Sequence, residues 1–191
     1  MKLCFATNNA HKLEEIQDLL GDSFLLTTLR EIGCDEEIPE THDTIPENSF
    51  EKAEYVWKNY NINCFADDSG LEVDALNGEP GVHSAYYGGP ERDANANMDM
   101  LLKNMEGKEN LTARFICVIT LFLDGEYRQF DGVIEGSISM EKRGSQGFGY
   151  NPIFIPEGHN RTFAEMTMQE KSKLSHRAIA FAKLVSFLKE I

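Results

Sequence analysis

The chain reads as a mixed α/β protein, and three observations carry that reading. Short apolar runs alternate with stretches whose apolar residues recur every three to four positions, the spacings of strands and amphipathic helices. The longest apolar run, Ala113 to Leu123, is separated from the run Tyr127 to Ile134 by Asp124-Gly125, a hairpin signal. The C-terminal stretch returns to helical spacing and keeps it to the end. With 191 residues, 41% of them hydrophobic, the chain suits one domain, or two intimately joined lobes, around a sizeable core.

Taken in order, Lys2 to Ala6 is an apolar strand that stops at Thr7-Asn8-Asn9-Ala10-His11-Lys12. Leu13, Ile16, Leu19 and Leu20 then mark a helix with Glu14, Glu15 and Asp18 on its other face, capped by Asn8 or Asn9 and ended at Gly21. A strand, a polar turn and a helix N-terminus together welcome anions, because the first N–H groups are unpaired and the dipole is positive there. Lys12 in the first turn opposes that dipole, so a bound anion explains it better than helix stability does. An ordinary capped helix is the alternative reading of the segment, and taken alone the segment favours it. The glycines and Lys-Ser/Thr pair of a P-loop are absent.

Phe24 to Leu29 reads as a second strand, and residues 31–44 are acidic and irregular. Thr44 caps a helix opened by Pro46-Glu47-Asn48, with Phe50, Ala53, Val56 and Trp57 on its apolar side and Asn61 to Asn63 at its end. Next comes Cys64-Phe65-Ala66-Asp67-Asp68-Ser69-Gly70-Leu71, an apolar approach that runs into two adjacent carboxylates before a second strand-like run begins. Two carboxylates at a strand end are costly to bury unless a cation sits on them, and Mg²⁺ shared with substrate phosphates meets that need. A plain turn of Asp, Ser and Gly accounts for this stretch equally well when it is taken alone.

Residues 77–89 form a glycine-rich loop with two tyrosines, and Asp93 to Met105 is a helix with Met98, Leu101, Leu102 and Met105 on one side. After the hairpin, residues 144–154 form a glycine-aromatic loop leading into a short strand. Its aromatics can stack on a planar ring, or they are two core aromatics of a turn. Thr167-Met168-Gln169-Glu170 has the form of a capping box. A terminal helix follows, with Leu174, Ala178, Ala182, Val185 and Leu188 at helical spacing and Lys171, Ser175, His176 and Arg177 at its start. Cations at a helix beginning again point to a bound anion.

A formal charge of −14 excludes a general nucleic-acid or anionic-membrane binder, since both need a basic face. A small phosphate ligand remains compatible with it. Cys4, Cys64 and Cys117 lie in apolar runs, and Cys34 forms no Cys-x-x-Cys pair with any of them, so buried thiols in a reducing compartment are expected rather than a zinc site. The first residues turn polar too quickly for a signal peptide, and no apolar run reaches membrane-span length, so a soluble cytoplasmic protein is expected. Phosphate-friendly turns, a ring-friendly loop, a carboxylate pair and a cationic helix start together describe a site for an anionic aromatic ligand with a metal, which is a nucleotide.

These motifs resemble, in order, those of the inosine triphosphate pyrophosphatase family, the dITP/XTP pyrophosphatases. The resemblance rests on Phe5 to Lys12, Ala66 to Leu71, Gly147-Phe148-Gly149-Tyr150 and Ser175-His176-Arg177, and it runs over nearly the whole chain. It implies an elongated mixed β-sheet flanked by helices, one domain of two lobes with a central cleft. It also implies a homodimer that uses Mg²⁺ to hydrolyse ITP, dITP and XTP to the monophosphate and pyrophosphate. Carried over by position, Thr7, Asn8, Asn9, Ala10, His11 and Lys12 would bind the triphosphate, with Lys52 a further phosphate contact. Asp68 would be the catalytic acid-base residue and a metal ligand, with Glu40 the second carboxylate near the metal and Asp67 in support. Ser69 would touch the substrate. Phe148, Gly149, Tyr150 and Asn151 would hold the base, and Lys171, His176 and Arg177 would close on base and phosphates.

Two departures stand out. Asn151 occupies a position where the family usually has Asp, which replaces an acceptor-only group by one that also donates. The first turn reads Thr-Asn-Asn where many relatives have Thr-Gly-Asn, and Asn tolerates left-handed backbone. Two rival readings are a Maf-type pyrophosphatase acting on modified pyrimidine nucleotides and a nucleotide-binding regulator without turnover. The purine-side loop argues against the first, and the Asp67-Asp68 pair against the second.

Overall fold

The computed structural model describes residues 2–13, 16 and 25–190. The helix expected after Lys12 is helical at residues 10–13 and at Ile16, while Glu14, Glu15, Asp18, Leu19, Leu20 and the proposed stop at Gly21 lie outside the described residues, as does Phe24. Six strands make one sheet: β1 (Lys2–Phe5), β2 (Leu25–Thr28), β3 (Cys64–Val73), β4 (Thr112–Leu123), β5 (Glu126–Ile138) and β6 (Phe154–Pro156). Their order is β2-β1-β3-β4-β5-β6. β1 pairs in parallel with β2 and β3, and β5 pairs antiparallel with β6, so the sheet is mixed.

Besides the helical residues 10–13 and Ile16, the described residues form α1 (Ile45–Tyr60), α2 (Ala94–Asn104), the single turn α3 (Met168–Lys171) and α4 (His176–Glu190). α1 begins as its sequence dictates. The Thr44 hydroxyl accepts from the Glu47 N–H, Pro46 sits in the first turn where its missing donor costs nothing, and left-handed Asn61 closes the end. Asp93 caps α2 in the same way, accepting from the Ala96 N–H. Asp124 and Gly125 both have positive φ and join β4 to β5 in a two-residue turn.

The chain forms two compact units. The first comprises Met1–Asp68, Cys117–Gly132 and Arg177–Ile191, and the second Ser69–Ile116 and Val133–His176. The first unit has two apolar clusters. In one, Leu3, Phe5, Phe65, Ile119 and Leu121 meet Phe181, Leu184 and Leu188 of α4, and Phe5 stacks on Phe65 at 4.6 Å. In the other, Ala53 and Val56 of α1 meet Cys4, Cys64 and Ala66. The second unit packs Met98, Leu101 and Met105 of α2 against Leu71, Val73, Phe115, Phe154 and Phe163. Each such large side chain contributes roughly 1.5–3 kcal/mol on burial. All four cysteines are free thiols and buried.

Two expectations are corrected. The stretch through Asp67-Asp68-Ser69-Gly70 is no turn: β3 runs unbroken for ten residues across it. Cations on both carboxylates make that possible, as described below. The terminal helix is two pieces, because Thr167 and Glu170 close a capping box around the single turn α3 and α4 starts afresh at His176. Lys171 therefore ends one helical element while His176 and Arg177 open the next. The inward face of α4 is Ala180, Phe181, Leu184 and Leu188, with Val185 partly buried and Ala182 exposed. Phe181 decides the rotation, since it is the largest side chain that this face buries completely.

Candidate active site

The first unit builds a charged cluster from three separated segments. β1 delivers the chain to Thr7, whose hydroxyl accepts from the Asn9 N–H at 3.1 Å. The Asn9 carboxamide oxygen then accepts from the N–H groups of His11 and Lys12 at 3.0 and 3.3 Å, so Asn9 is the cap of the turn. Asn8, Asn9, Ala10 and His11 are exposed, with their polar groups along the rim of this turn. The Lys12 side chain donates to Asp67 at 3.0 Å. Arg177, in the first turn of α4, donates to the other Asp67 oxygen at 3.2 Å through Nε. Both cations that oppose a helix dipole thus share one carboxylate, and the anion they required is part of the protein.

Asp67 is 2% exposed. Burial alone would raise its pKa, but the charges of Lys12, Arg177 and Lys52 outweigh burial and hold it well below the usual carboxylate range. The Cys117 thiol lies 3.9 Å from Asp67, and burial together with that negative charge pushes its pKa up to about 12, so it is an inert neutral neighbour. Asp67 is therefore a fixed anion whose geometry sets where Lys12 and Arg177 lie.

Asp68 has a different environment. Lys52 reaches from α1 to donate to Asp68 at 3.2 Å and also to Glu40, holding both carboxylates on one ammonium. Lys52 is 7% exposed. Burial disfavours its charge, yet Asp68 and Glu40 more than compensate, and its pKa lies above the ordinary lysine value. For Asp68 the balance goes the other way. Burial raises its pKa more than Lys52 and Lys12 lower it, and Glu40 adds to the rise. A carboxylate moved upward, toward neutrality, is suited to taking a proton from water. Alternation along β3 explains why adjacent aspartates differ, since successive side chains point to opposite faces of the sheet. Glu40 and Asp68 are also the oxygen donors available to a divalent cation. Among the described residues no group of three or more His, Cys, Asp or Glu side chains is arranged to hold a metal. Two carboxylates suit Mg²⁺, which takes its remaining ligands from water and phosphates.

In the second unit the loop before β6 is shaped by contact rather than charge. Gly147 has φ +77°, and a Cβ there would lie 2.1 Å from the Asn151 Nδ2 and 3.4 Å from the Lys171 Nζ. Only glycine fits, on both counts. The Lys171 ammonium lies 5.3 Å from the centroid of the Phe148 ring. Phe148 is half-buried, whereas Tyr150 is in the core and donates its hydroxyl proton to the Ser84 carbonyl at 2.9 Å. The two explanations of this loop thus divide: Tyr150 is a core aromatic, and Phe148 is a half-buried ring beside the Lys171 ammonium. Gly149 has φ +60° and separates them. Asn151 is 4% exposed, and its Nδ2 has no hydrogen-bond partner among the described residues. His176 stacks on Phe115 at 4.7 Å with the rings 10° apart. Ser69, half-buried in β3, opens this unit.

Of the residues singled out from sequence, Lys12, Asp67 and Arg177 form one group, Lys52, Asp68 and Glu40 a second, and Phe148, Asn151 and Lys171 a third. Sequence reasoning missed Phe115 beneath His176, and it missed that Lys52 binds carboxylates. The first leaves no trace outside an apolar strand. The second had a signal in the polar position of Lys52 on an otherwise apolar helix face beside Ala53 and Val56.

Comparisons with known proteins place the chain in a family. A family model described as the Ham1 family matches residues 3–187. The dITP/XTP pyrophosphatase of Porphyromonas gingivalis is 52% identical over 188 residues, covering 98% of this chain and 97% of that protein. That of Flavobacterium johnsoniae is 49% identical over 188 residues, with 98% of each covered. The solved structure of a HAM1 protein from Coxiella burnetii superimposes with a TM-score of 0.93 at 36% identity, over the full length of both chains.

Proposed function

The chain belongs to the Ham1 family, and we propose that it hydrolyses the non-standard purine nucleotides ITP, dITP and XTP to the monophosphate and pyrophosphate, so clearing them from the nucleotide pool. The observation that carries this reading is the division of labour at Asp67 and Asp68. Asp67 is already neutralised by Lys12 and Arg177, while Asp68 is held beside Glu40 by a single lysine and its pKa is raised.

In this reading the N–H groups and side chains of Thr7 to Lys12 bind the triphosphate, with Lys52 as a further phosphate contact. Glu40 and Asp68 would hold a divalent cation, which we take to be Mg²⁺, and the cation would polarise the phosphates when bound. Asp68 orients the attacking water and takes its proton, a role worth about 10²- to 10⁴-fold in rate. Asp67 keeps Lys12 and Arg177 aimed where the leaving pyrophosphate gathers charge. Phe148 stacks on the purine, the backbone of Gly149 to Asn151 meets its edge, and Ser69, Lys171 and His176 complete the substrate contacts. The family resemblance supports a homodimer acting in the cytoplasm; sedimentation at working concentration tests the dimer.

The deciding experiment incubates the protein with Mg²⁺ and ITP, dITP, XTP, GTP or methylated pyrimidine triphosphates and measures pyrophosphate. Release chiefly from ITP, dITP and XTP is expected. Release chiefly from pyrimidines would replace this reading by a Maf-type one, and release from none by a binding protein.

A further inference from the structure

The charges of the first unit's cluster carry one more step. Its cations are Lys12, Lys52 and Arg177, and its carboxylates are Asp67, Asp68 and Glu40, so three positive charges face three negative ones and the formal sum is zero. The Lys52 ammonium lies on Asp68 and Glu40 together, the same two oxygen donors that would hold a divalent cation. An ammonium and a metal ion cannot share that place, because like charges that close are unfavourable even in a site open to water on its Glu40 side, and more so beside the largely buried Asp68. Lys52 is also nearly fully buried, so it has little water to retreat into if a metal arrives alone. A triphosphate arriving with the metal removes the difficulty, since it offers Lys52 a new anionic partner and supplies the ligands that the two carboxylates lack.

We propose that Lys52 is a placeholder cation: it fills the divalent-metal position between Glu40 and Asp68 in the free protein and yields it only when the nucleotide's phosphates arrive with the metal. This rests on the pyrophosphatase reading and extends it to the order of events. Metal alone binds weakly, metal and nucleotide each strengthen the other's binding, and the carboxylates stay in position without a metal. Lys52 is thus a positioning residue for the empty site as well as a phosphate contact in the loaded one.

Titration with Mn²⁺, followed by the loss of its free-ion paramagnetic resonance signal, tests this without turnover. It is run with Mn²⁺ alone and with Mn²⁺ plus α,β-methylene-ITP, which resists cleavage at the reacting bond. For the wild type, affinity with the analogue should exceed that without it by about 100-fold, the upper range of ordinary coupling between sites. Lys52→Met removes the ammonium and keeps an unbranched apolar stem one atom shorter, and it should bind Mn²⁺ alone about 10-fold more tightly than the wild type does. Lys52→Gln is the second variant should the methionine protein fail to fold, and Lys52→Arg, which keeps the charge, should stay as weak as the wild type. Unchanged affinity for Mn²⁺ alone in the neutral variants, or wild-type binding equally tight with and without the analogue, overturns the placeholder while leaving the pyrophosphatase reading intact. Absence of Mn²⁺ binding even with the analogue overturns both.

Discussion

In the first unit, Asp67, Asp68 and Glu40 are each ion-paired to a lysine or arginine drawn from a distant segment, whereas in the second unit the glycine-aromatic loop is held by a stacked ring, a tyrosine hydroxyl bond and close backbone packing. Buried charges demand exact partners, because removing one member strands the other in a poor solvent. Packed rings and glycines are less costly to perturb and more sensitive to shape. The first arrangement suits a ligand end that is all charge, and the second a flat ring with an edge to be read.

The largest expected effect falls on the charged side. Asp68→Asn should lower turnover by about 10²- to 10⁴-fold with little change in thermal midpoint, since the amide keeps the shape and Lys52 keeps Glu40. Steady-state kinetics beside a melting curve checks this, and near-full activity would end the assignment of Asp68 as base. Asp67→Ala should instead unfold the protein more easily, by about 3–5 kcal/mol in urea titrations, because it leaves Lys12 and Arg177 without their shared carboxylate. A stability loss below about 1 kcal/mol would mean that the buried network is not the organising feature of this unit.

The pH dependence follows from the same residue. The folded-state pKa of Asp67 is depressed despite its burial, so its contribution to stability is fully present above the ordinary carboxylate value and is lost as pH falls toward the depressed one. Stability measured from pH 7 downward should therefore fall with a steeper acid limb in the wild type than in Asp67→Asn. Parallel curves would show that other carboxylates govern acid unfolding.

On the uncharged side the effects are smaller. Gly147→Ala places a methyl against the Asn151 amide at a positive φ, and about 1–3 kcal/mol of destabilisation is expected, with KM for ITP rising more than kcat falls. Asn151→Asp should be the mildest change. It replaces the unpartnered Asn151 Nδ2 donor by a carboxylate oxygen that the Lys171 ammonium, which also lies against Gly147, can pair with, and about 1 kcal/mol of stabilisation in a denaturant midpoint is expected. A destabilised Asn151→Asp protein would show that the amide is better placed than its missing bond implies.

Much of this was legible in the residues themselves. The Asn9 cap, the Thr44 and Thr167 caps, the Asp124-Gly125 turn and the apolar stripe of α2 all depend on neighbours within a few positions, where local geometry dictates the outcome. The conflict of Lys12 with its helix dipole was equally readable; it was read as the mark of a bound anion, and the structure pairs Lys12 with the Asp67 carboxylate.

The identity of that anion was not readable, because Lys12, Asp67 and Arg177 are separated by 55 and 110 residues and meet only when the chain folds. The continuity of β3 depended on the same meeting. Asp-Asp-Ser-Gly favours a turn by local preference, and it becomes strand only where cations from elsewhere offset the burial of its carboxylates. The sequence by itself determined most of the helices, the hairpin and their caps, and which residue types are available for phosphate, metal and ring. The tertiary structure alone decided which aspartate is already neutralised and which is held ready, since that follows from distances between charges in a low-dielectric interior.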